Sequence, residues 1–177
     1  MELYSINTAS IYYPFVEDLF HSAFPEKERR LDKDQRENID DQPLMSCLLI
    51  SENSVPVGFI TKWDFGKFLY IEHFAIALDR RGQGLGSASL AYFLQIHSGI
   101  PVVLEVEPPV SIEAQRRVEF YQKAGFHLCK LSYSQPAYPD RANVSFDMNI
   151  MCYGSISQMF LEKVVFQLYS VVYQINN

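Results

Sequence analysis

The sequence predicts a single α/β domain: a mixed, mostly antiparallel sheet flanked by helices, with an extra apolar segment at its C-terminal end. Three observations predict it. The 177 residues suit about one domain on a scale of roughly 100–200 residues each. Three apolar runs between residues 44 and 78 are joined by short polar connections, the pattern of an antiparallel meander. The stretch Phe68–Glu107 then reads as strand, glycine-rich turn, helix, strand.

In chain order, Leu3–Ile6 is a short first strand. Ile11–Phe24 places Ile11, Phe15, Leu19, Phe20 and Phe24 at helical spacing, and Pro25 stops it. Glu26–Asp41 is the most charged stretch and reads as a solvated helix of mixed charge. The meander strands are Leu44–Ser51, Val57–Trp63 and Phe68–Leu78, with a turn at Glu52-Asn53-Ser54. Ser87–His97 continues a helix that starts in the glycine turn and ends at Gly99. Pro101–Glu107 is a buried strand, broken by Pro108-Pro109. Ser111–Ala124 is a helix with Ser111 as N-cap, Glu113–Arg117 and Glu119–Lys123 as i,i+4 pairs, and Gly125 behind it. Strands near Phe126–Tyr133 and Val144–Tyr153 follow, joined by the loop Ser134–Pro139. In Ile156–Ile175 the pairs Val164-Val165 and Val171-Val172 favour a strand over a helix. The expected division is therefore a domain over residues 1–153 and an extension over 154–177, packed on the domain or at a homodimer interface.

Composition narrows the function. Hydrophobic residues make up 48% and charged residues 20%, which excludes a disordered or collagen-like chain. A formal charge of -6 argues against nucleic acid as a partner. The three cysteines, Cys47, Cys129 and Cys152, are widely spaced and contain no C-x-x-C, so neither a disulfide framework nor a metal site is expected. The most apolar tract, Val164–Ile175, has 12 residues against the roughly 20 of a membrane span. With no basic-then-apolar leader at the N-terminus, the expectation is a cytoplasmic protein that does not engage a membrane.

The informative element is Arg80-Arg81-Gly82-Gln83-Gly84-Leu85-Gly86 at a helix start. Unpaired helix-terminal N–H groups, glycines that allow close approach, and two arginines describe a cradle for a phosphate or pyrophosphate. No Lys follows Gly86, so a P-loop fails. The dinucleotide fingerprint G-x-G-x-x-G is matched imperfectly, since Ser87 or Ser89 takes its third glycine, yet Glu105 lies 21 residues after Gly84, near the expected ribose-binding acid. A nucleotide-dependent oxidoreductase and a glycine helix start with no ligand both stay open on the loop alone. The preceding meander speaks against a doubly wound sheet.

Arg81-Gly82-Gln83-Gly84-Leu85-Gly86 resembles the Q/R-x-x-G-x-G/A motif of the GNAT superfamily of N-acetyltransferases, and Phe120-Tyr121-Gln122-Lys123-Ala124-Gly125-Phe126 resembles the F-Y-x-x-x-G-F ending common in those enzymes. The element order over residues 1–153 is similar too. The resemblance implies a GNAT fold and acetyl-CoA as the acetyl donor to an amine, small-molecule or peptide, with no metal. Its pyrophosphate would be held by Arg81, Gly82, Gln83, Gly84, Leu85, Gly86 and Ser87. Its pantetheine arm would lie between the Phe68–Leu78 and Pro101–Glu107 strands, against the backbone of Phe74, Ala75 and Ile76. Family likeness also gives Glu72 the role of general base, often through a water, and Tyr121 that of the acid for the leaving thiolate. Many members carry an Asn seven residues before this Tyr; here Ala114 stands there. Glu105 and Glu107 either bind an acceptor ammonium or face solvent. The acceptor pocket is expected to draw on Glu26–Arg30, Leu104–Glu107 and Ser134–Pro139. The rival reading from another class is a non-catalytic module that binds or senses CoA.

Overall fold

A computed structural model describes residues 1–139 and 145–175. The expected strand start at Val144 and the last residues of the expected 154–177 extension lie outside the described residues. The elements run β1 (Glu2–Ile6), α1 (Tyr13–Ala23), α2 (Asp32–Asp41), β2 (Met45–Glu52), β3 (Val55–Asp64), β4 (Leu69–Ile76), α3 (Leu85–Ile96), β5 (Val102–Val106), α4 (Ile112–Lys123), β6 (His127–Leu128), β7 (Tyr133–Gln135), β8 (Phe146–Tyr153) and α5 (Gln158–Gln167), ending in a π-helical turn (Leu168–Val172). Among the described residues the sheet order is β1-β2-β3-β4-β5-β8-β6, with β7 also on β8. Only β4–β5 is parallel, joined through α3, and the other pairings are antiparallel.

Strand alternation divides the apolar side chains between two cores. Cys47, Leu49, Phe59, Trp63 and Tyr70 meet α1 and α5 on one face. Leu48, Ile50, Ile60, Leu69 and Ile71 meet α3 and α4 on the other. Two-residue periodicity makes this division automatic once one strand is seated.

Several expectations need correction. The apolar seam of α1 runs through Tyr13, Val16, Leu19 and Phe20, and Ile11 is 85% exposed. The charged stretch is not one solvated helix: Glu26–Glu28 form a short 3-10 turn before α2, and between them Arg30 is only 2% exposed. Arg117 pairs with Glu107 across the chain at 2.8 Å. The run from Phe126 to Tyr133 breaks into β6 and β7.

The C-terminal segment is helical. Leu161, Val164, Leu168 and Val172 follow one another at three- and four-residue steps and all are buried. That burial overrides the β preference of the valine pairs, and Ser157 caps the helix by accepting from the Phe160 N–H at 3.3 Å. Met159 and Phe166 stay exposed on its outer side. Among the described residues no helix is long and apolar enough to cross a membrane.

Candidate active site

The site begins where β4 and β5 part. Their parallel pairing covers Leu69–Ile71 against Val102–Leu104 and then stops. One step later β4 carries a bulge: Thr61 faces His73 and Lys62 faces Ile71, which leaves Glu72 as the extra residue. The bulge inverts which backbone groups face which neighbour. The Ala77 N–H donates to Val57 on β3 at 2.9 Å, so by alternation the N–H groups of Phe74 and Ile76 point away from β3, into the gap.

Beside the gap, Gly82 and Gly84 adopt φ of +76° and +78°, which an L side chain tolerates poorly. A Cβ at either position would meet no protein atom within 4 Å, so the turn shows bare backbone to open space. Gly84 is the N-cap of α3 and supplies no side-chain cap, which leaves the N–H groups of Leu85, Gly86 and Ser87 without helical acceptors. The Arg81 Nε donates to the Ile76 carbonyl at 2.9 Å and ties this turn to the end of β4.

Gap and turn open on one cleft of about 620 Å³. Its walls include Phe74, Ala75, Ile76, Arg81, Gly82, Gly84, Leu85, Gly86, Ser87 and Tyr121 from the expected site, joined by Arg80, Arg116 and Glu105. Gln83 is not brought in; its side chain folds back to donate to the Asp79 carbonyl at 3.3 Å. Tyr121 is packed edge-on between Phe120 and Phe126, and burial pushes its phenol up to about 12. Its hydroxyl has no hydrogen-bond partner among the described residues.

Two carboxylates flank the gap with opposite surroundings. Glu72 reaches the cleft only through its main chain, for its side chain has no exposed surface. The carboxylate forms an ion pair with Arg30 and accepts from Trp63 Nε1 and the Tyr138 hydroxyl, each at 2.9 Å. Burial pushes its proton affinity up, but Arg30, His73 and these donors outweigh burial and hold the carboxyl below its ordinary value. Arg30 also donates to the Val172 carbonyl at 3.0 Å, with the Tyr138 ring 4.4 Å from its guanidinium.

Glu105, on β5, is partly buried and meets no cation among the described residues. It accepts from the hydroxyls of Tyr133, Tyr70 (2.8 Å) and Tyr173 (2.6 Å), and from Gln135 Nε2 (2.8 Å). Burial raises this carboxyl, the phenols lower it and the charge of Glu72 raises it; the net direction is up. Arg30, Gln135 and Tyr138 fall within the stretches expected for the acceptor pocket but were not singled out there, and Tyr70, Tyr133 and Tyr173 were not assigned to any site, because no local pattern marks them. Among the described residues no group of three His, Cys, Asp or Glu could hold a metal.

Comparison with known proteins agrees with this geometry. The family model for the acetyltransferase (GNAT) family matches residues 13–126; the chain belongs to the GNAT acetyltransferase family. A Bacteroides thetaiotaomicron protein classed as a GNAT-family acetyltransferase is 34% identical with a TM-score of 0.94, covering 99% of this chain and 100% of that one. YjbC of Bacillus subtilis strain 168, also classed as an acetyltransferase, is 32% identical over 73 residues, 40% of this chain but only 37% of YjbC. Arabidopsis thaliana Naa50, in complex with the bisubstrate analogue CoA-Ac-MVNAL, shares the fold at 18% identity and a TM-score of 0.60, over 88% of this chain and all of that one.

Proposed function

We propose that this protein moves an acetyl group from acetyl-CoA to a primary amine, carried by a small molecule or a peptide, by direct attack in a ternary complex. The observation that supports it most is the cleft: parted strands, bare left-handed glycines, free helix-start amides, Glu105 and Tyr121 all line one space. The donor fits these residues. Amides from Gly82 to Ser87, with Arg80 and Arg81, would hold its pyrophosphate, and the N–H groups of Phe74 and Ile76 would pair with its pantetheine arm and polarise the acyl carbonyl. Acetyl-CoA, when bound, supplies the activated acetyl thioester.

The chain's own residues handle the protons. An amine is mostly an ammonium at neutral pH and must lose a proton to attack. The sequence reading gave this task to Glu72. Its buried, cation-paired carboxylate has lowered proton affinity and no open surface, so we assign the task to Glu105, whose affinity is raised and which borders the cleft. Tyr121 keeps its proton at neutral pH, and its hydroxyl, unpartnered among the described residues, would donate to departing sulfur. The test is thiol release from acetyl-CoA over a panel of primary amines. Amine-dependent release supports the reading; CoA binding without release under any amine would favour a sensing module.

A further inference from the structure

The C-terminal segment lies outside the residues matched by the family model, yet it reaches Glu105 directly and Glu72 through Arg30. Its last turn is π-helical: the Tyr173 N–H donates to the Leu168 carbonyl, five residues back, at 3.0 Å. A π-turn is wider than an α-turn and is used mostly in short pieces, frequently at functional sites. Here it lets Leu168, Val172 and Tyr173 all face inward, each almost fully buried. The Val172 carbonyl meets Arg30, and the Tyr173 hydroxyl meets Glu105 Oε2 at 2.6 Å. Gln135 Nε2 donates to that same hydroxyl at 2.6 Å, which directs the phenol proton at the carboxylate.

We propose that Tyr173, carried into the site by this π-helical turn, is a positioning residue for Glu105: its hydroxyl fixes the carboxylate's orientation and favours its ionised, proton-accepting form. The proposal rests on the reading of Glu105 as the proton acceptor. Without Tyr173 the carboxylate would keep Tyr70 and Gln135 on Oε2 and Tyr133 on Oε1. The other groups bearing on it are Glu72 from β4, Tyr138 from the loop after β7, and Tyr169 from the same C-terminal turn; Arg30 stands beyond Glu72. Among these the phenol of Tyr173 makes the shortest hydrogen bond to Oε2, and hydrogen bonds to a charged group are the strong ones.

The test is Tyr173→Phe in the full chain, read in two ways. Direct titration of Glu105 by carbon NMR of labelled glutamate should show its pKa raised by about one unit, because the charged form has lost a donor. The acid limb of kcat/KM for thiol release should move up by the same amount, with activity recovered at high pH. Tyr169→Phe is the control, since its hydroxyl donates to the Ser134 carbonyl at 2.6 Å instead, and it should leave both unmoved. An unchanged Glu105 pKa in Tyr173→Phe overturns the proposal, as does an equal shift in both variants, which would report loosening of the whole turn. A shifted Glu105 pKa with an unmoved acid limb upholds the role of Tyr173 and instead overturns Glu105 as the acceptor.

Discussion

Glu72 and Glu105 sit on neighbouring parallel strands, one step beyond the last β4–β5 pair, and yet their surroundings give them opposite chemistry. A guanidinium meets Glu72 and fixes its charge. Phenols and an amide meet Glu105, which has no counterion among the described residues. The same side chain is thus held below its ordinary pKa in one network and raised above it in the other. What decides is whether a fixed cation outweighs the cost of burial.

The largest expected effect follows from the ion pair. Glu72→Gln leaves Arg30 buried without its anion, and breaking such a pair costs about 3–5 kcal/mol. Denaturant unfolding should show it, and a variant as stable as wild type would mean the pair is no anchor. Next is His73, beside Glu72 and enclosed by Phe20 and Phe24. Burial lowers its pKa from 6.5 to about 4. Between those values the unfolded chain holds the extra proton, so stability is full above pH 6.5 and is lost as pH falls toward 4, about 3 kcal/mol in all. His73→Gln should flatten that part of the pH–stability curve relative to wild type; parallel curves would refute the assignment.

Tyr121→Phe should lower kcat by about 10²-fold and leave the unfolding midpoint unchanged, because the hydroxyl satisfies no partner among the described residues. A normal kcat would end the acid role. The smallest effect belongs to the stability of Glu105→Gln. A carboxyl raised by folding contributes stability at low pH and loses it as pH rises through the raised value. Removing the charge should therefore hold or raise the midpoint at neutral pH. A large destabilisation would make Glu105 a second anchor.

The parts legible in the sequence are those that local pattern encodes. The meander strands all lie within about two residues of their expected bounds; beyond the end of β4, Leu78 begins a 3-10 turn. The Asn53-Ser54 turn takes positive φ as such a connection demands. The glycine turn was legible because its spacing and its helix are contiguous. Arg30 was not, for a charged stretch looks solvated until Glu72, 42 residues on, is seen to draw one member inside. Nor was the tyrosine set around Glu105, whose donors come from 28 to 68 residues away. The C-terminal helix was misread because valine pairs speak for strand locally, while the surface they cover is set by the whole fold.

The most direct test of the contrast is the pH dependence of kcat/KM for amine-dependent thiol release in wild type, Glu72→Gln and Glu105→Gln. We expect Glu105→Gln to lose about 10²–10⁴-fold and its acid limb with it, while folded Glu72→Gln keeps an acid limb, moved to lower pH because the charge that raises Glu105 is gone. An acid limb that survives in Glu105→Gln and vanishes in Glu72→Gln would contradict the account.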